Sequence, residues 1–222
     1  AFGTAALGKN TGISNLVAIG DSAMYNQNGG NGFNTAVGNK ALFSTTSGQE
    51  NTATGYRTLF FNTTGNYNSA FGTNAMNTNT TGASNTAVGT NAISKATTAS
   101  NNTAVGTNAL TNVTNGGNNT AIGRSALSVL TTGSFNTAVG YGSLRNNTTG
   151  KSITATGYGS LYSNSIGLYN TANGYNALFN NTTGNENTAI GYRALLNNTT
   201  GDGNTANGSS TLFTNSTGSY NT

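Results

Sequence analysis

Four acids, Asp21, Glu50, Glu186 and Asp202, are the only carboxylate side chains in the 222-residue sequence. Glu186 and Asp202 stand 16 residues apart, so a chain that stacks with a period close to that spacing brings them near each other. A close carboxylate pair is what glycoside hydrolysis uses, one as the acid and the other as base or nucleophile. Two solvated charges at a corner is the plainer reading and the one we expect, since function needs a site and no other reactive groups surround them. His and Cys are absent, which removes the commonest nucleophile–base arrangements. No catalytic, metal or cofactor site is expected, and the chain reads as a non-enzyme.

Other side chains recur in rows. Tyr141, Tyr158, Tyr175 and Tyr192 form a series with a constant interval, with Tyr56 earlier. A second aromatic row runs through Phe43, Phe60, Tyr162, Phe179 and Phe213. A strip of tyrosines could stack on sugar rings of a host surface; a ladder that stiffens a stack of strands is the commoner use of such residues. Asn62, Asn79, Asn147, Asn181, Asn198 and Asn215 each open an Asn-x-Ser/Thr sequon. These would carry glycans in a eukaryotic secretory protein, but Asn, Thr and Gly are also what a tight corner requires. A row of Thr from Thr35 to Thr205, broken only by Ser69, could order water as ice-binding solenoids do.

All of these rows are consequences of one repeat. Gly recurs at 3, 20, 38 and then at every seventeenth residue to 208, so that Gly20 to Gly38 is the one longer step. The unit is clearest at 187–203, Asn-Thr-Ala-Ile-Gly-Tyr-Arg-Ala-Leu-Leu-Asn-Asn-Thr-Thr-Gly-Asp-Gly. Its first position is the Asn of Asn-Thr-Ala, its fifth the recurrent Gly. The third position is always Ala and the ninth is always Leu, Met or Ile. The unit recurs about thirteen times over residues 1–222 as one array. Thr222 stops at the second position and Ala1 starts at the third. Solenoids ordinarily carry polar caps, so the array is expected to continue in both directions.

Composition narrows the class further. Charged residues make up 5% of the chain and the net charge is +4, far from the roughly 25% charge of ordinary soluble domains. The cations do not cluster as phosphate recognition needs, so no nucleic-acid partner is expected. No apolar run nears the roughly 20 residues that span a bilayer.

Asn, Thr and Gly favour turns and β structure over helix interiors. Short apolar segments such as Asn-Thr-Ala-Val and Ala-Leu-Phe, parted by Gly and Asn-Thr-Thr-Gly, read as strand, turn, strand, turn. The expectation is an all-β chain, a parallel β-solenoid or β-roll with one coil per 17 residues. Identical residues would then sit about 4.8 Å apart, with Asn amide ladders between coils. The extra residue between Gly20 and Gly38 should bulge at a corner near Gly29, Gly30 and Gly32. If the third and ninth positions face inward, the pleat turns the fourth and eighth outward. An outer face restricted to small residues at the eighth position points to a second copy packed against it, and a homotrimer is the expectation.

The Asn187–Gly191 and Ala194–Leu195 segments followed by Asn198–Gly201 resemble repeats of phage tail fibres and bacterial surface proteins. They also resemble the Ala-x-Gly repeats in the heads of YadA-like trimeric autotransporter adhesins, although the coil here is longer. That resemblance implies a trimeric parallel β-roll on a virion or cell surface. The expected function is the structural shaft of an extracellular fibre that supports attachment. The alternative is a binding module whose coils contact host-surface glycans or ice.

Overall fold

A computed structural model describes residues 1–222. Each repeat after the first, where Phe2 only bridges Ile19, contributes one strand of three residues: β1 (Val17–Ile19), β2 (Thr35–Val37), β3 (Thr52–Thr54), β4 (Ser69–Phe71), β5 (Thr86–Val88), β6 (Thr103–Val105), β7 (Thr120–Ile122), β8 (Thr137–Val139), β9 (Thr154–Thr156), β10 (Thr171–Asn173), β11 (Thr188–Ile190) and β12 (Thr205–Asn207). The chain divides into two compact units, Ala1–Asn115 and Gly116–Thr222. Within the first, β1 to β6 pair in chain order, and within the second β7 to β12 do the same. Every pairing is parallel and in register, so Ala53 lies over Ala70 and Ala172 over Ala189. Both units are therefore parallel β-solenoids with a 17-residue coil.

The strand sits at the second to fourth positions because only there does the pleat suit the residues. The central Ala is fully buried in every strand while its two neighbours face out. Gly follows at once. Gly191 has φ 129°, and a Cβ there would lie 2.6 Å from the Gly208 carbonyl oxygen of the next coil. A left-handed backbone and a neighbour at that distance together exclude any side chain.

The second expected strand does not form. In Arg193-Ala194-Leu195 the φ angles of Arg193 and Leu195 are 54° and 49°, and the same pair of positions is left-handed in Arg57 and Leu59, at 52° each. Hydrogen bonds to the next coil persist there, Leu59 N–H to the Ala75 carbonyl and Phe61 N–H to the Asn77 carbonyl, both 3.0 Å. A left-handed leucine costs about 1–2 kcal/mol. Full burial of the side chain returns about 1.5–3 kcal/mol, so the stack tolerates the local cost. Left-handed residues on both sides of the eighth position break the two-residue alternation of a pleat. Ala177 and Leu178, or Ala194 and Leu195, are consequently both fully buried. The eighth position is small because it faces the interior, and not because a partner covers it.

The extra residue between Gly20 and Gly38 is absorbed where Gly is densest. Gly29 N–H still bonds the Thr46 carbonyl at 2.8 Å, and Asn34 again reaches the Gly48 carbonyl at 2.7 Å. Between them Gly30 and Gly32 adopt φ 81° and 83°. The bulge is at the expected corner.

Candidate functional site

The interior is apolar on the alanine and leucine rows, and its polar part is built mostly from asparagine. First-position Asn residues stack as Asn34, Asn51, Asn68, Asn85 and Asn102 in the first unit, all buried. In the second unit Asn170, Asn187 and Asn204 do so. Asn187 shows the connection. Its amide nitrogen donates to Asn170 Oδ1 at 3.2 Å and to the Gly201 carbonyl at 2.8 Å. Its Oδ1 accepts the Asn204 backbone N–H at 2.9 Å and the Asn204 amide at 3.0 Å. Both donors and both lone-pair directions are used. A fully met buried polar network is what makes such an interior tolerable.

The twelfth position forms a second ladder, and this is where the sequons lie. Asn181 is fully buried, and its Nδ2 donates to Asn164 Oδ1 at 2.8 Å and to the Gly184 carbonyl at 3.0 Å. Asn62, Asn79, Asn147 and Asn198 are likewise buried, while Asn215 is half-buried. The nitrogen that a glycan would need is committed to the core. The fifteenth-position Gly is required by the same ladder: a Cβ on Gly184 would lie 2.5 Å from both Asn181 Oδ1 and the Gly201 carbonyl.

A third ladder runs along the outside at the sixteenth position, and it accounts for one of the two acids. Asn185 Oδ1 accepts the Leu168 N–H at 2.9 Å. Asp202 Oδ1 then accepts the Asn185 N–H at 2.6 Å and its amide at 3.1 Å. The Asp202 carboxylate therefore stands where other coils place Asn or Ser. Glu186 is exposed beside it, and both line an open depression of about 270 Å³ with Leu168, Tyr169, Asn185 and Tyr220. One oxygen of the pair is spent on the backbone of the neighbouring coil, which fits a corner better than a reaction. Nowhere do three or more His, Cys, Asp or Glu side chains converge.

The four tyrosines are brought together as a stack. Ring centroids are 5.2 Å apart for Tyr141–Tyr158, 5.1 Å for Tyr158–Tyr175 and 5.5 Å for Tyr175–Tyr192, with planes within 16°. Each ring is about half exposed, and Tyr158 and Tyr175 have a neighbouring ring on both faces. The Arg193 guanidinium lies 5.0 Å from the Tyr192 ring centre. Sugar stacking needs a free ring face, and in the middle of this ladder none is free. The tenth-position row stacks in the same way, Tyr25–Phe43–Phe60 in the first unit and Tyr162–Phe179 in the second.

The strand face is the remaining surface. Second-position Thr and fourth-position Phe71, Val88 and Val105 point outward in the first unit, Ile122 and Ile190 in the second. On one side this face is bounded by the seventeenth position, where Phe33 and Glu50 line a depression with Thr52. On the other side it is bounded by the sixth and seventh positions. The sequence reading overlooked these two edges. The signal was present: Glu50 precedes Arg57, and Glu186 precedes Arg193, by the same seven residues.

A comparison with known protein families, with curated proteins and with solved structures finds no match to this chain.

Proposed function

We propose that the chain is a structural segment of an extracellular fibre, a shaft of the kind found in phage tail fibres and surface adhesin filaments. In this reading three copies assemble around a common axis and carry an attachment tip away from a virion or cell. The observation that carries it is the register: like residues stack on like, coil after coil, with the asparagine ladders handing each bond to an equivalent acceptor. In such an array each coil depends mainly on its neighbours, so length can be added or removed in whole units, which is what a spacer requires. The exposed apolar fourth position supports association of copies; the eighth position, being buried, does not.

Deletion tests the reading. Removing residues 68–84 joins Tyr67 to Asn85, each at its own place in the unit. We expect normal assembly and a fibre shorter by about one 4.8 Å step. Removing eight residues from the same place should abolish assembly, because strand then lies over corner and polar residues turn inward. Normal assembly with lost attachment would show that these coils bind something themselves.

One specific observation favours a second reading, ice binding. Outward Thr and Val recur in register on one sheet, as Thr86 over Thr103 and Val88 over Val105. Thermal hysteresis of the purified chain decides it.

A further inference from the structure

We propose that the strand face is the surface on which copies of this chain meet, parallel and in register, with the seventeenth-position edge of one copy against the seventh-position edge of the next. The proposal rests on the oligomeric reading above and adds which face is used, in which direction, and through which residues.

Glutamate and arginine are divided across this face, while one aspartate, Asp21, stands at a sixth position on the arginine side. Glutamate occurs only at Glu50 and Glu186, both on the seventeenth-position edge and both exposed. Arginine occurs at the seventh position only at Arg57 and Arg193. Glu50 and Arg57 flank β3, and Glu186 and Arg193 flank β11, one such strand in each unit. Around a third strand, β2, Phe33 stands on the first edge and Lys40 on the second, a ring and a cation that attract by the ring quadrupole. Within one chain the strand lies between the two edges. The arginines instead lie against rings, Arg57 Cζ 4.5 Å from the Phe60 centre and Arg193 Cζ 5.0 Å from the Tyr192 centre. The Nε of both is buried with no hydrogen-bond partner.

Symmetry then selects the arrangement. In a ring of parallel copies that turn their strand faces to a common axis, the left edge of each meets the right edge of the next at the same height. Glu50 meets a neighbouring Arg57, and Glu186 a neighbouring Arg193, while the apolar row of Phe71, Val88 and Val105 is covered. Antiparallel copies placed face to face would bring glutamate edge to glutamate edge. Like charges placed together cost several kcal/mol, so the parallel ring is favoured.

Light scattering of four proteins tests this, with circular dichroism confirming that each is folded. The unaltered chain should assemble, with the mass of three copies. E50R/E186R changes only exposed side chains and should weaken assembly by at least about tenfold, since each like-charge contact is worth more than the 1.4 kcal/mol that a factor of ten represents. R57N/R193N should weaken it too, Asn being the residue already present at Asn74, Asn91 and Asn108. The fourfold exchange E50R/R57E/E186R/R193E restores opposite charges at every contact and should recover assembly. If E50R/E186R assembles as tightly as the unaltered chain, the interface lies elsewhere while the oligomer stands. If the unaltered chain is monomeric, the oligomer and the interface fall together. If the fourfold exchange is folded but does not assemble, the two edges do not face each other.

Discussion

The side-chain amides of Asn187 and Asn198 donate to one and the same oxygen, the Gly201 carbonyl, at 2.8 and 2.9 Å. The two residues stand eleven apart in the unit, one beside the strand and one in the Asn-Thr-Thr-Gly corner. Their meeting closes the coil across its interior. The same convergence occurs at the Gly65 carbonyl, from Asn51 and Asn62 at 2.8 and 3.0 Å. It explains why Asn and Gly recur three residues apart at this corner: the Gly supplies the acceptor and leaves room for the donors.

The first prediction follows from that bond set. Asn187→Ala removes two donated and two accepted bonds and leaves the Asn204 N–H and amide without their acceptor. An unmet buried polar group costs about 1–3 kcal/mol, so a loss of about 2–5 kcal/mol is expected. Asn187→Asp keeps the shape but sets a carboxylate against the Gly201 carbonyl and Asn170 Oδ1. It should be the worse of the two, because a buried charge beside acceptors is costlier than a gap. Denaturant unfolding of the two variants checks the order; an Asp variant more stable than the Ala variant would contradict the ladder.

Much of this was legible beforehand, for reasons that can be named. The period and the strand were readable because Ala at the third position and Gly at the fifth are dictated by the neighbouring coil, so each repeat shows them. The Ala-Leu segment was misread because alternation in sequence implies a pleat, whereas Leu195 at φ 49° is held by stacking that no local propensity reports. The burial of Asn181 was also hidden, since Asn-x-Thr at a turn ordinarily faces water. Its acceptor, the Gly184 carbonyl, is a backbone atom and leaves no trace in residue type. The Glu–Arg interval was on the page but has meaning only once the strand face lies between the two residues.

Gly191→Ala should be among the most damaging small substitutions. It forces a Cβ onto the Gly208 carbonyl oxygen at 2.6 Å and a left-handed backbone onto alanine. Gly29 is the control: it has no left-handed backbone, and a Cβ there would meet Ser47 and Thr46 at an ordinary 3.5 Å. We expect Gly29→Ala to change the thermal midpoint little and Gly191→Ala to lower it by many degrees. Equal effects would mean that the coils do not stack as closely as described.

Tyr158→Ala separates the two uses of the tyrosine ladder. Tyr158 has Tyr141 on one face and Tyr175 on the other, at 5.2 and 5.1 Å. Its loss should cost about 0.5–1.5 kcal/mol for each aromatic contact beyond the area exposed. If the ladder is structural, binding of the chain to glycan arrays is unchanged by this substitution at equal folded concentration. Loss of glycan binding in a folded Tyr158→Ala protein would show that sugars use the edges of the stack.

Ile153 interrupts the first-position ladder of the second unit and offers a gain of stability. It is buried between Asn136 and Asn170 in the stack. Its backbone N–H still reaches Asn136 Oδ1 at 3.2 Å, but its side chain offers no oxygen to the Asn170 N–H or amide. The Gly167 carbonyl, which in equivalent coils takes two amides, receives the Asn164 amide at 3.2 Å and nothing from the first position. Ile153→Asn would supply that second donor, return a donor to Asn136 Oδ1, and give Asn170 the acceptor that Asn136, Asn187 and Asn204 possess. Against this stands the lost burial of an isoleucine, about 1.5–3 kcal/mol. Three or four restored bonds at about 0.5–1.5 kcal/mol each, together with relief of buried donors at about 1–3 kcal/mol, outweigh it. The thermal midpoint of Ile153→Asn should rise, and amide exchange at Asn170 should slow. A fall in the midpoint would mean that the apolar contacts of Ile153 are worth more than the continuity of the ladder, and that the asparagine stack sets register without providing net stability.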